Sequence, residues 1–281
     1  MRIARVQVDG DVKYVASEGD DRWLDLSKAG VALTDSASVV NQLDVIRGAL
    51  SEADAGATVS PDKFLSPIVH PTHSLAVGRN YVAHAEETGS DVPTRPVIFS
   101  KLPASYIGTG DTIVVDGDYT EKLDYEVELV VLIGREASMV SEGDALKYVA
   151  GYLVGNDISA RDRQRGDGQY DLAKGMNTFG PNGPWITTAD QVPDPQTLEL
   201  GTTVDGESRQ SSNTGYMIFS VAFLIEYLSR VITLQPGDVI WTGTPHGVAL
   251  GREDKPFLQT GQTVECTVQG LGSVSNPVAY K

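Results

Sequence analysis

The chain has 281 residues, 41 % of them hydrophobic, with 29 Gly and 14 Pro. That is ordinary globular composition and argues against a disordered or collagen-like chain. Its 22 basic and 38 acidic residues give a net charge of −16, and a surface so acidic repels a phosphate backbone, which excludes a nucleic-acid partner.

The start, Met1-Arg2-Ile3-Ala4-Arg5-Val6, lacks the apolar core of a signal peptide. Val6 to Val15 reads as two short alternating strands around the Asp9-Gly10 turn. Trp23 to Leu26 follows, then a helical stretch near Ser38 to Leu50 with Leu43, Ile46 and Leu50 on one face. Ser51 to Val59 is small, acidic and non-periodic, and Ser60-Pro61 ends it. Residues 1–66 therefore read as a small αβ domain, and 67–281 as a second, larger one.

Beyond Pro67 the chain is strand-rich. Leu75 to Gly78, Pro96 to Lys101, Thr112 to Val115, Tyr125 to Ile133 and Gly151 to Gly155 all read as strands. Arg79-Asn80-Tyr81 leads into a short helical stretch, and Ser141 to Tyr148 opens with the capping pair Ser141 and Asp144. Met217 to Arg230 is the clearest helix, with a broad apolar face. Many strands and few helices predict an α+β, β-rich fold without the regular alternation of a doubly wound sheet. No run approaches the ~18 apolar residues of a membrane span. The single Cys266 cannot form an intrachain disulfide, which points to a reducing, cytoplasmic setting with no membrane partner.

The most informative chemistry lies in Asp124-Tyr125-Glu126-Val127-Glu128-Leu129. Strand periodicity puts Glu126 and Glu128 on one face of an otherwise apolar run. Two carboxylates buried together repel unless a cation lies between them; equally, the strand's first residues could be exposed and both acids merely solvated. Asp157 tips the balance, because it ends the apolar strand Gly151 to Gly155. Alone it would read as a turn or N-cap residue. With Glu126 and Glu128 it makes a three-carboxylate oxygen site suited to Mg²⁺ or Mn²⁺. No thiolate is available, and no His is placed to argue for zinc.

The motifs Val77-Gly78-Arg79-Asn80-Tyr81-x-x-His84, Phe99-x-Lys101, Glu126-x-Glu128, Asp157-x-x-x-Arg161-Asp162-x-Gln164, Lys174 and Thr242-Gly243-Thr244-Pro245 stand in this order. Together they resemble the fumarylacetoacetate hydrolase family, including its bacterial acylpyruvase and 2-hydroxyhepta-2,4-diene-1,7-dioate isomerase-like members. The resemblance implies a mixed β-roll, a homodimer and one Mg²⁺ or Mn²⁺ per subunit, with Glu126, Glu128 and Asp157 as ligands. The substrates it implies are 2-oxo or 2,4-dioxo acids, acted on by C–C hydrolysis, decarboxylation, hydration or tautomerisation.

His84 and Glu87 are three apart in a helical turn and can share a face. A carboxylate beside a His fixes its tautomer and raises its basicity, as a general base for water requires; Glu86 is a rival partner by spacing. The family motif carries such a His–Glu pair on a segment that closes over the site. By the same resemblance, Lys174 faces the substrate and stabilises developing negative charge. Lys101, Arg161, Gln164 and Thr244 match positions that contact the substrate or shape its pocket, whereas Arg79 reads as structural. After Lys174 the family often has a small polar residue, an aromatic and an Asp, and here Gly175-Met176-Asn177 stands instead. His70 and His73 read as structural, and His246 lies near the expected pocket mouth.

No Gly-x-Ser-x-Gly elbow and no phosphate-binding Gly-x-x-x-x-Gly-Lys loop is present. The reading is a metal-dependent hydrolase that cleaves a C–C bond of an acylpyruvate- or fumarylpyruvate-type acid into pyruvate and a carboxylic acid. The alternatives are an oxaloacetate decarboxylase or 2-oxo-dienoate isomerase or hydratase on the same fold, or a non-catalytic small-acid-binding protein.

Overall fold

The computed structural model describes every residue except 20, 21, 53, 54 and 167. A 12-stranded sheet forms its spine. One half runs Thr58–Val59, Trp23–Asp25, Asp11–Ser17, Arg2–Val8, Gly180–Thr188 and Val149–Asn156. The other continues through Val127–Ile133, Val239–Trp241, Ser74–Gly78 and Val97–Ser100, while Lys63–Leu65 and Tyr106–Ile107 pair off this path with Arg2–Val8 and Gly180–Thr188. The strands of residues 1–66 thus share one sheet with the rest, through the pairs Arg2↔Thr187 and Ile3↔Ile186. A 5-stranded sheet, ordered Glu207–Asn213, Glu199–Val204, Thr263–Val268, Gly272–Tyr280 and Ile113–Val115, completes the strand-rich α+β roll.

Val127–Ile133 shows why this sequence needs that architecture. All seven residues are buried, because the strand is central and both of its faces are covered. Leu129, Val131 and Ile133 enter one core with helix Val221–Ser229. Val130 and Leu132 enter another, beneath the N-terminal strands and Trp241. Gly155 lets Trp241 close on the neighbouring strand: a Cβ there would meet Trp241 Cζ3 at 2.4 Å. Among the described residues no helix is long and apolar enough to cross a membrane.

Several expected boundaries move. The ladder begins at Val127 rather than Tyr125, because Asn156 Oδ1 takes the N–H of Glu126 and Gln210 Oε1 takes that of Val127. The helix expected over Ser38 to Leu50 is two, Ser36–Asn41 and Leu43–Ser51, and the first is started by the reciprocal Asp35–Ser38 capping box. Only Ile46 of its predicted apolar face is fully buried. The segment after Ser141 is a 3₁₀ helix, Glu142–Tyr148, since the Ser141 hydroxyl donates to the Asp144 carboxylate instead of capping the backbone. The long helix starts at Val221, where Ser220 Oγ accepts the N–H of Phe223. Gly180–Thr188 is a central strand the sequence hid: Pro181 and Pro184 cannot donate to a ladder and read as turn residues. Its register with the neighbouring strand shifts between Tyr152 and Val154, and that irregularity accommodates them.

Candidate active site

The site forms where the central strands end. Asp157 follows strand Val149–Asn156 directly, and its N–H donates to Glu126 O at 2.8 Å, which draws the two acids together. Ligand atoms of Glu126, Glu128 and Asp157 all lie within 4.8 Å of one another, and all three residues are buried. The Thr242-Gly243-Thr244-Pro245 loop closes one side. Gly243 stands at φ 92° and presses against Asn80, where a Cβ would lie 2.7 Å from Asn80 Cβ, so only glycine fits. Its N–H donates to Glu128 Oε2 at 3.0 Å. Asn80 fixes that approach by donating to the carbonyls of Phe219 and Thr242.

Three buried cations surround the acids. Lys174 Nζ donates to Glu126 Oε2 and Asp157 Oδ2, both at 2.6 Å, and to Ser159 Oγ at 2.8 Å. Arg161 donates to Asp124 Oδ2 at 2.8 Å, to Glu126 Oε1 at 2.5 Å and to Gln164 Oε1 at 2.9 Å. Lys101 is wholly enclosed beneath the site. Its three protons go to Asp157 Oδ1 and to the carbonyls of Lys174 and Phe179. Lys101 therefore shapes the site by holding Asp157 and does not line the cavity, whereas Arg161, Gln164, Lys174 and Thr244 do.

Charge does not balance in this cluster. The acids Asp124, Glu126, Glu128 and Asp157 face the three cations, and among the described residues only Glu128 has no cationic partner. Burial, reinforced by Asp157 and Glu126, pushes the Glu128 carboxyl well above the usual carboxylate range. Burial would also raise Glu126, but the charges of Lys174 and Arg161 overcome it and hold that carboxyl low. Burial alone would lower Lys174; Asp157 and Glu126 raise it instead, so it stays an ammonium. In Lys101 burial prevails over Asp157 and the pKa falls. An all-oxygen donor set with one uncompensated buried carboxylate fits a hard divalent cation.

His84 is on helix Val82–Glu87 and is nearly buried. Its Nδ1 lies 2.9 Å from Glu87 Oε1, and Glu87 Oε2 accepts the N–H of Gly247 at 2.8 Å. Glu87 is thus the partner and Glu86 points to solvent. A proton on Nδ1 leaves Nε2 as the basic nitrogen. His84 lines the same cavity as Glu126 and Lys174. His73 pairs with Asp238 at 2.7 Å, far along the sheet from these acids, and His246 is exposed.

Sequence reasoning missed Asp124, which holds Arg161 and accepts the N–H groups of Ala249 and Leu250. An Arg carried into a core needs more than one acceptor, and that was the available signal. It also missed Ser159, Tyr170 and Gln210; the last carries Thr244 on its amide, with Nε2 donating to Thr244 Oγ1 at 2.9 Å.

The fumarylacetoacetate hydrolase C-terminal family model matches residues 74–279. A Burkholderia lata protein named only as a hydrolase is 43 % identical over 276 residues, 97 % of this chain and 96 % of its own. Two solved structures are also similar. The 5-carboxymethyl-2-hydroxymuconate delta-isomerase of Mycobacterium smegmatis is 36 % identical, with a TM-score of 0.76 over 100 % of this chain and 99 % of that one. The maleylpyruvate hydrolase of Sphingobium sp. SYK-6 is 27 % identical, with a TM-score of 0.83 over 100 % of both chains. With three carboxylates, a His–Glu pair and a buried Lys joined on one β-rich roll, and with the match spanning most of its length, the chain belongs to the fumarylacetoacetate hydrolase family.

Proposed function

We propose that the protein hydrolyses a C–C bond of a 2,4-dioxo acid of the acylpyruvate or fumarylpyruvate type, yielding pyruvate and a carboxylic acid. The observation that carries this reading is the His84–Glu87 pair, with His84 lining the same cavity as Glu126 of the carboxylate triad. Glu126, Glu128 and Asp157 would hold one divalent cation per subunit, Mg²⁺ or Mn²⁺, which would supply Lewis-acid polarisation of a substrate oxo group. His84 Nε2 takes a proton from water, whose oxygen adds to the distal carbonyl, and Glu87 stabilises the imidazolium that forms. The C–C bond then breaks, its electron pair leaves with the pyruvate fragment, and a proton returned to that carbon completes pyruvate. Lys174 lends positive charge beside the departing enolate. Arg161, Gln164 and Thr244 line the cavity in which the substrate lies.

The test is a Mg²⁺- or Mn²⁺-supplemented assay against acylpyruvates, fumarylpyruvate and oxaloacetate, following substrate loss and pyruvate release. A second reading, isomerisation of a 2-oxo dienoate, is favoured by the likeness to the Mycobacterium smegmatis isomerase, and decarboxylation of oxaloacetate is a further alternative on the same fold. Decarboxylation needs no attacking water, so His84→Ala separates it from hydrolysis. A non-catalytic small-acid-binding role would be marked by oxalate binding without turnover of any member of the panel. We propose a homodimer as the working assembly. Exposed Met139 and Val231 beside the end of helix Val221–Ser229 offer apolar surface for it, and light scattering at micromolar concentration measures it directly.

A further inference from the structure

Beside Glu126 two adjoining cavities, an inner and an outer one, share Arg79, His84, Arg161, Gln164 and Tyr170 in their walls. The inner one, about 30 Å³, touches Glu126, Lys174 and Thr244. The outer one, about 170 Å³, opens toward Thr88, Ser90 and Leu250. Arg79 is in the wall of both.

The arginines of the outer part are committed very differently. Arg161 is held by Asp124, Glu126 and Gln164, one bond from each of its nitrogens. Arg165 is exposed and gives one bond, at 3.3 Å, to the carbonyl of Thr88. Arg79 has no ion pair or side-chain hydrogen bond with any described residue, and its Nε is buried without a partner. Its backbone also stands at φ 57°, in the left-handed region that non-glycine residues rarely occupy. An unsatisfied buried donor and a strained backbone both work against folding. Their coincidence at one residue, on the wall shared by both parts, leaves the half-buried guanidinium uncommitted and available to a ligand.

The surroundings identify its charge. Arg79, Arg161, Arg165 and His84 line the outer part, and among the described residues no carboxylate does, although the whole chain carries −16. A local cationic pocket in an acidic protein concentrates anions, and a guanidinium fork matches a carboxylate. We infer that Arg79 is a specificity-determining residue that binds a second carboxylate, at the substrate end remote from the triad, and so selects dicarboxylic over monocarboxylic 2-oxo acids. This rests on the proposed reaction and names its substrate class. Arg79 touches the remote end and takes no part in bond cleavage.

Calorimetry on the Mg²⁺-loaded protein tests it with 2-oxo diacids of five to seven carbons, each against the monoacid of equal length. Oxalate reports the triad end alone. Wild type should bind at least one diacid about tenfold or more tighter than its monoacid, the scale of a hydrogen bond to a charged group. Arg79→Met should bring that ratio close to one while oxalate affinity stays within about threefold, and Arg79→Lys should fall between. Absence of diacid preference in wild type overturns the inference whatever the variants do. So does an equal loss of oxalate and diacid binding in Arg79→Met, which would make the residue structural. If wild type binds diacids preferentially but turns none of the panel over, the hydrolytic reading fails and the Arg79 subsite stands. If it binds neither oxalate nor any oxo acid, both fall.

Discussion

Glu126 and Glu128 stand two residues apart as equivalent ligand candidates, yet their removal should affect the fold in opposite directions. Glu126 is the shared acceptor of Lys174 and Arg161. Glu126→Ala strands both cations and should cost about 3–5 kcal/mol, the scale of a broken buried ion pair. Glu128 has no cationic partner, so Glu128→Gln removes repulsion and should leave the metal-free protein as stable as wild type or more so. Both variants should lose the rise in Tm that Mg²⁺ gives wild type, and melting curves with and without chelator measure both effects. The sign with pH follows from the raised Glu128 pKa. The folded state favours the protonated acid, so that contribution is present below the unfolded value and is lost as pH rises through the folded one. Metal-free wild type should therefore lose stability relative to Glu128→Gln as pH is raised from about 5 to 8; a constant difference would remove Glu128 as the source of strain. At the other end of the cavity, His84→Ala should lower kcat by about 10² or more, as loss of a general base does. Glu87→Gln should cost less, because it keeps a hydrogen bond and gives up the charge. If His84→Ala weakens oxalate binding as much as turnover, the residue binds substrate and does not activate water.

At the scale of elements, the sequence marks strands wherever their periodicity is unbroken and conceals them where side chains substitute for the ladder. Val149–Asn156 and Val127–Ile133 are legible because burial on both faces demands a continuous apolar run. The interruption at Tyr125–Glu126 is not, because the N–H groups of Glu126 and Val127 go to the side chains of Asn156 and Gln210, 30 and 83 residues away. Helix Val221–Ser229 is legible from its apolar residues, while its start depends on one hydroxyl. Ser220→Ala should cost about 1 kcal/mol, readable as a drop of about 2–4 °C in Tm. Strand Thr263–Val268 alternates outward and inward residues and turns Cys266 into the core. Burial pushes that thiol from 9.0 to about 12. Cys266 should resist iodoacetamide at pH 8 until the protein unfolds. Its contribution to stability is present below pH 9.0 and lost as pH rises from there toward 12. Rapid labelling of the native protein would mean that this strand opens locally.

Across the whole molecule, legibility follows the kind of signal each residue carries. The triad could be read because carboxylates in apolar strands contradict their surroundings, and that conflict is written in residue types. Arg79 could not, because its significance lies in a backbone angle and a missing partner, neither of which a letter encodes. The relation of residues 1–66 to the remainder is likewise a matter of contacts. Composition suggests a linker near Ser60-Pro61, whereas strand Arg2–Val8 pairs with Gly180–Thr188, and Ile3, Leu24 and Ile46 pack in one cluster with Val130, Leu132 and Trp241. A boundary across which a sheet and a core both continue gives neither side a complete interior. Unfolding should therefore be a single transition, with fluorescence from Trp23, Trp185 and Trp241 coinciding with circular dichroism in the same urea titration. A fragment of residues 67–281 would expose the Gly180–Thr188 edge and the apolar face beneath Trp241, and it should aggregate or remain molten. Two separated transitions, or a fragment that folds and still binds Mg²⁺ with oxalate, would make residues 1–66 an independent folding unit and the shared core a contact surface.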